Sequence, residues 1–276
     1  MKVHLKNTLI SISPTVSDAL LRAWHLRVRP ADHVVNRTHR ISDELRQRYH
    51  GRIAGGMFKN MRYAPTAFGS AMLPKLVGSY EVELNPALIE LTALNPKTLV
   101  DIGCAEGYYA VGLAMLLPES VVYAFDTSAA ARALCRRTAR MNGVLDRVEI
   151  RGLCTHQVLE SLDLNGGLVV CDCEGCESTL LNPELAPSLL RAFIIVELHE
   201  HLVSGTKSTL TSRFENSHDI SEIPVEERRP DELSCLSGMA QDDRALAIRE
   251  ARVPGQSWLV MKPKSNPKLA YSVQRP

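Results

Sequence analysis

The sequence predicts an α/β protein: a mostly parallel seven-stranded sheet with helices on both faces, led by a basic, mainly helical segment. Three observations predict it. From Lys97 onward, short apolar runs alternate with helical segments, the rhythm of parallel strands joined by crossover helices. The first run leads into a glycine turn, Asp101-Ile102-Gly103-Cys104-Ala105-Glu106-Gly107, and open α/β sheets bring ligands against backbone N–H groups at such turns. Charge is also divided unevenly. Residues 1–63 carry 12 Lys and Arg against Asp18, Asp32, Asp43 and Glu44, in a chain whose net charge is only +1.

Composition bounds the answer. At 276 residues, 45% hydrophobic and 23% charged, the chain is long enough for a large core and too apolar to be disordered. Aromatics at 5% predict an aliphatic core. No apolar run approaches the roughly 18–20 residues that span a bilayer. The opening residues, 1–13, lack the sustained apolar stretch and small-residue cleavage site of a secretion signal. The seven cysteines are odd in number and scattered, which argues against a disulfide framework and for a reducing, cytoplasmic setting.

Taken in order, Val16–Trp24 and Ile41–Tyr49 have helical spacing of apolar residues. Gly51, Gly55, Gly56 and Pro65 break the pattern into loops, and Pro86–Leu94 reads as a short helix stopped by Asn95-Pro96. Five strands follow at Thr98–Ile102, Ser120–Phe125, Val148–Ile150, Gly167–Cys171 and Phe193–Leu198. Helices are expected between them at Tyr109–Leu117, Ala129–Asn142, His156–Leu162 and Ser178–Leu190. Past Leu198 the rhythm changes: a helix at Ser208–Phe214, closing strands at Ile220–Val225 and Ser257–Lys262, and a charged helical stretch at 231–252. Two parts are expected, an extension over 1–77 and a catalytic domain over 78–276.

The glycine turn carries the chemistry. A dinucleotide site needs G-x-G-x-x-G, but Ala105 and Tyr108 stand where its second and third glycines belong, and Glu106 would repel a pyrophosphate. A Walker loop fails as well, because no Gly-Lys-Ser/Thr follows. Two carboxylates beside the turn suit a cationic sulfonium and an ammonium group. Acidic-x-Gly-x-x-x-Gly resembles motif I of class I S-adenosylmethionine-dependent methyltransferases. The resemblance implies their Rossmann-like fold and S-adenosylmethionine as cofactor. It places Asp101, Gly103, Cys104, Ala105 and Gly107 around the methionine portion, with Glu106 in the same cofactor-binding loop. Asp126, 25 residues after Asp101 at the end of the second strand, is placed to accept bonds from the ribose hydroxyls. Gly152-Leu153-Cys154 follows the third strand, where the family contacts adenine. Leu153 stands in place of an acidic residue there, and Cys154 and, after the fourth strand, Asp172 complete the cofactor-binding set.

Two further clusters close the fourth and fifth strands: Cys171-Asp172-Cys173-Glu174-Gly175-Cys176-Glu177 and Val196-Glu197-Leu198-His199. Strand ends in open α/β sheets share one cleft. Together with Gly78-Ser79-Tyr80-Glu81, these segments resemble the FkbM-type branch of that family, whose members mostly methylate hydroxyls of sugars, polyketides and related metabolites. The likeness covers residues 78–262 and implies that Glu81 helps close over the cofactor. A methyl acceptor hydroxyl must be aligned and deprotonated. His199, Asp172, Glu174 and Glu197 are the candidates, with His199 preferred as base because an ordinary imidazole titrates near neutrality. The cysteine triplet lacks the second Cys/His pair of a zinc site. Asp172, Glu197 and His199 offer an oxygen/nitrogen set for Mg²⁺ or Mn²⁺, but no metal is assigned.

The expected activity is therefore O-methylation of a small molecule, a glycan or metabolite, with no membrane partner. Residues 1–77 are expected to serve as a substrate lid or as the contact of a homo-oligomer. The competing enzyme reading is methylation of RNA or protein, with the basic extension as contact. Against it, the fourth strand lacks the Asn/Asp-Pro-Pro-aromatic tetrad of amino methylation. A non-catalytic binding protein on the same fold is the third reading.

Overall fold

Seven strands form one sheet: β1 (Thr98–Ile102), β2 (Val121–Phe125), β3 (Val148–Arg151), β4 (Leu168–Cys171), β5 (Phe193–Leu198), β6 (His218–Pro224) and β7 (Ser257–Pro263). The computed structural model describes residues 32–250 and 252–264. The strand order is β3-β2-β1-β4-β5-β7-β6. The first five strands run parallel, and β7 lies antiparallel between β5 and β6. This is the Rossmann-like arrangement expected, with the strand boundaries shifted by no more than two residues. The helix expected at Val16–Trp24 lies outside the described residues.

The apolar runs are strands because both sheet faces are covered. Leu99, Leu168, Val170 and Ile195 join one core, while the alternating Val100, Val169, Cys171, Ile194 and Val196 join the other. On the first face lie α1 (Asp32–Arg48), α2 (Met72–Val77), α3 (Asn85–Ala93), α4 (Tyr108–Leu116) and α5 (Ala129–Met141), which contribute Ile41, Leu76, Leu88, Val111 and Ala139 to that first core. On the second lie α6 (His156–Ser161), α7 (Glu177–Leu180) and α8 (Thr206–Phe214), which contribute Leu159, Leu180, Leu210 and Phe214. The last helix is α9 (Gln241–Ala247). Ser128 and Thr155 start α5 and α6 by accepting the N–H groups of Ala131 and Val158.

Three expectations need correction. The helix expected over Ser178–Leu190 survives only as α7 and a 3₁₀ turn at Pro187–Arg191, because Pro183 and Pro187 exclude helical backbone ahead of them. The helical reading of 231–252 reduces to α9 and two 3₁₀ turns, Pro230–Glu232 and Ser234–Leu236, with Gly238 left-handed before α9. The cysteines are not all reduced: Cys173 and Cys176 form a disulfide, while the other five are free and buried.

Residues 32–77 do not stand apart. Ile41, Leu45, Ile53, Met61, Leu76 and Val77 are buried in the same core as the sheet. The ring of Phe58 lies against Gly112 of α4, so closely that a Cβ on Gly112 would come within 2.5 Å of it. The charge boundary near residue 63 is therefore not a packing boundary. Among the described residues, no helix is long and apolar enough to cross a membrane.

Candidate functional site

The turn after β1 is fixed by backbone. Gly103 and Cys104 both donate to the Phe125 carbonyl at the end of β2, at 2.8 and 2.9 Å. Gly103 is left-handed at φ +89°, and a Cβ there would lie 1.6 Å from the Asp172 carbonyl oxygen. Only glycine lets the ends of β1 and β4 approach this closely. Ala105 is also left-handed, φ +47°, and its N–H donates to Asp126 Oδ2 at 3.0 Å. Asp126 Oδ1 accepts from the Ser128 N–H at 2.8 Å. Asp126 thus ties the turn to the start of α5.

Asp101 is buried, 4% exposed, and accepts the Ala110 N–H of α4 at 2.8 Å. Burial pushes its carboxyl up, the Ala110 bond opposes this, and Asp172 and Asp126 add repulsion, leaving it at about 7. Glu106 has a different role from the one expected. It is fully buried, ion-paired to Lys75 Nζ at 2.7 Å, and accepts from Tyr63 Oη at 2.6 Å and the Phe68 N–H at 2.9 Å. Burial raises its carboxyl, but Lys75, Tyr63 and Phe68 outweigh that and leave it below its usual value. Its charge is committed to the N-terminal segment, so it is no longer an argument about a bound phosphate.

Cys104 and Cys154 are buried. Cys154 packs into the second core, and burial pushes its thiol up to about 12. Its neighbour Leu153 is 67% exposed, the most exposed large apolar side chain among the described residues.

The strand-four motif is organised by its last acid. Glu177 Oε1 accepts the N–H groups of Gly175 at 3.0 Å and Cys173 at 3.3 Å and also holds His199 Nδ1 at 2.7 Å. Glu174 and Gly175 are both left-handed, which curls the loop and brings Cys173 to Cys176. His199, 3% exposed, turns its Nε2 towards Asp172 Oδ1 and Glu174 Oε2, each at 3.6 Å. Burial alone would lower the His199 pKa, but the Glu177 bond and the charges of Asp172 and Glu197 raise it to about 10. The ring is therefore protonated at neutral pH, which removes the reason for choosing it as base. Asp172 is pushed up to about 7, chiefly by burial and against the pull of His199.

Glu197 does not join this group. Its Oε1 accepts from Arg252 and Gln256, and burial, then Asp172 and Glu81, push it well up. Arg252 also binds Glu81, whose other oxygen accepts from Tyr109 Oη. Glu250 pairs with the same guanidinium at 3.0 Å, which stacks over Tyr80 and Trp258 at 5.2 and 5.0 Å. Arg252 thus fastens β7's approach to the Gly78–Glu81 segment, a role invisible in its charged, patternless neighbourhood. The oxygen/nitrogen set expected from Asp172, Glu197 and His199 is instead Asp172, Glu174 and His199, whose ligand atoms lie within 4.8 Å of one another.

No protein-family model matches the chain. A release factor glutamine methyltransferase of Synechocystis sp. is 38% identical over 64 residues, which covers 22% of this chain and 21% of that protein. The chain thus matches only about a fifth of that relative's length. Among solved structures, a provisionally assigned O-methyltransferase from Klebsiella pneumoniae is 16% identical, covering 91% of this chain and 97% of its own, at TM-score 0.47. Cofactor-bound Rv0187 from MTB is 16% identical, covering 90% and 97%, at 0.45. The O-methyltransferase from Bacillus cereus in complex with SAH is 12% identical, covering 63% and 77%, at 0.41. The fold assignment rests on the strand order of the chain itself.

Proposed function

We propose that this chain is a class I, S-adenosylmethionine-dependent methyltransferase of the FkbM-type branch, acting on a hydroxyl of a small molecule such as a sugar or metabolite. The joint between β1 and β2 carries the reading: a left-handed glycine turn held by Asp126, with Asp101 beneath it. Carboxylates at two neighbouring strand ends favour a cationic ligand over a phosphate. Asp101 and the backbone of Gly103–Gly107 would hold the methionine portion, and Asp126 the ribose. When bound, the cofactor supplies an electrophilic methyl group on a sulfonium. The chain aligns the acceptor: Asp172, Glu174 and His199 stand together at the ends of β4 and β5 and orient its hydroxyl.

The name of the Synechocystis relative favours a macromolecular acceptor as second reading. Against it, the end of β4 leads into Cys171-Asp172-Cys173-Glu174, where the tetrad of amino methylation would stand. Calorimetry decides first. The wild type is expected to bind S-adenosylmethionine, and Asp126→Ala to weaken it at least tenfold, since the substitution removes an acceptor of charge-assisted bonds. His199→Ala should keep cofactor binding and abolish transfer to an accepted hydroxyl. A wild type that does not bind the cofactor overturns the proposal. Transfer confined to RNA or protein supports the second reading.

A further inference from the structure

We propose that Asp172, Glu174 and His199 form a binding site for one divalent first-row cation of the Mn²⁺ type. The three donors come from two strand ends that the sheet holds side by side, since Cys171 of β4 pairs with Val196 of β5. Nε2 of His199 lies 3.6 Å from Asp172 Oδ1 and 3.6 Å from Glu174 Oε2. These separations are too long for hydrogen bonds. They approach the roughly 3.0–3.5 Å between ligand atoms that each sit about 2.1 Å from one cation.

Two observations independent of that clustering point to a ligand. Asp172 Oδ1 is sealed from solvent and receives no hydrogen bond, on a side chain that is 36% exposed overall; a sealed acceptor of this kind is ordinarily filled by a donor or an ion. His199 is 3% exposed and held from behind by Glu177 at 2.7 Å through Nδ1, leaving Nε2 aimed at the two carboxylates; the ion takes the place of the Nε2 proton, so binding releases a proton and weakens as pH falls. A carboxylate that orients a ligating imidazole through its other nitrogen is the recurrent outer shell of protein metal sites. One imidazole with two carboxylates suits Mn²⁺, which accepts both donor types. Glu174 is 56% exposed at its side chain, so it can close on an ion without rebuilding the core. A cation here would have open positions towards the cleft, where it can fix and acidify an acceptor hydroxyl. That use rests on the transferase reading, whereas binding of the ion does not.

The test titrates Mn²⁺ into the full-length protein without cofactor or substrate, following free Mn²⁺ by electron paramagnetic resonance. One Mn²⁺ per chain is expected. Glu174→Gln, on an exposed side chain, should weaken binding at least tenfold. Glu177→Gln, acting through the imidazole, should weaken it by about 10–100-fold. Exposed Glu149→Gln, on β3 outside the cluster, should leave it unchanged. Substoichiometric binding by the wild type, or equal binding by Glu174→Gln, overturns the site. S-adenosylmethionine binding is measured separately. If it fails while Mn²⁺ still binds, the transferase reading falls and the cation site stands; the converse removes the cation site alone.

Discussion

Glu106 occupies the middle of the glycine turn, but its carboxylate belongs to the segment ahead of residue 78. The sequence places it among ligand-binding residues because it lies between Gly103 and Gly107. What the sequence hides is Lys75, 31 positions earlier, whose ammonium is 3% exposed and 2.7 Å away. Removing one partner of such a buried pair leaves the other charge uncompensated. Glu106→Gln is therefore expected to cost about 3–5 kcal/mol in urea unfolding. Replacing both as Lys75→Met and Glu106→Leu should cost much less. The pair also sets a pH dependence. The folded pKa of Glu106 lies below its unfolded value of about 4.3. Its contribution is thus full above that unfolded value and is lost as pH falls through the folded one. Stability measured from pH 6 to pH 2 should drop below about pH 4.3, and the double variant should lack this part of the slope. His199 follows the same pattern: its place after the fifth strand is legible in the sequence, but its protonation is not, because Glu177, Asp172 and Glu197, gathered at the ends of β4 and β5, decide it together.

At the scale of elements, strands were more legible than helices. Each parallel strand is buried on both faces, so its sequence is a plain apolar run such as Leu168–Cys171. Helical apolar spacing in Ser178–Leu190 is real, but two prolines divide it, and packing of Leu180 and Leu189 in the same core preserves the spacing without a continuous helix. Interlocking of β1 and β4 was not legible at all, since it is a contact between backbones. Gly103 shows it: a Cβ would lie 1.6 Å from the Asp172 carbonyl, at φ +89°. Gly103→Ala must therefore force the two strand ends apart, and a loss of about 3 kcal/mol or more is expected. Gly143 is also left-handed, φ +69°, but meets nothing within 4 Å. Gly143→Ala should cost only about 1–2 kcal/mol, the strain of the backbone alone. Equal losses for the two, by denaturant titration, would contradict the interlock.

For the whole molecule, the basic front of the sequence suggested a separable extension over residues 1–77, and charge alone offers no means of seeing otherwise. Burial does. Ile41, Leu45, Ile53, Phe58, Met61, Leu73, Leu76 and Val77 are each at most 4% exposed and share the core of α4 and the sheet. Side chains of this size contribute roughly 1.5–3 kcal/mol each on burial, and the face they cover loses a comparable apolar contact when they leave. Domains are stable by only roughly 5–15 kcal/mol net, so exposing both sides of this contact leaves little margin for a folded remainder. A chain beginning at residue 78 would also lack Lys75 and strand Glu106 as an unpaired buried charge. A fragment of residues 78–276 should consequently show no cooperative thermal transition by calorimetry and no sharp near-ultraviolet circular dichroism. A fragment of residues 32–276 retains every core side chain among the described residues and should melt cooperatively. If 78–276 melts at the temperature of the full chain, the front segment is an appendage after all. Any loss of methyl transfer in that fragment would then reflect substrate binding, and not loss of the fold that carries the site.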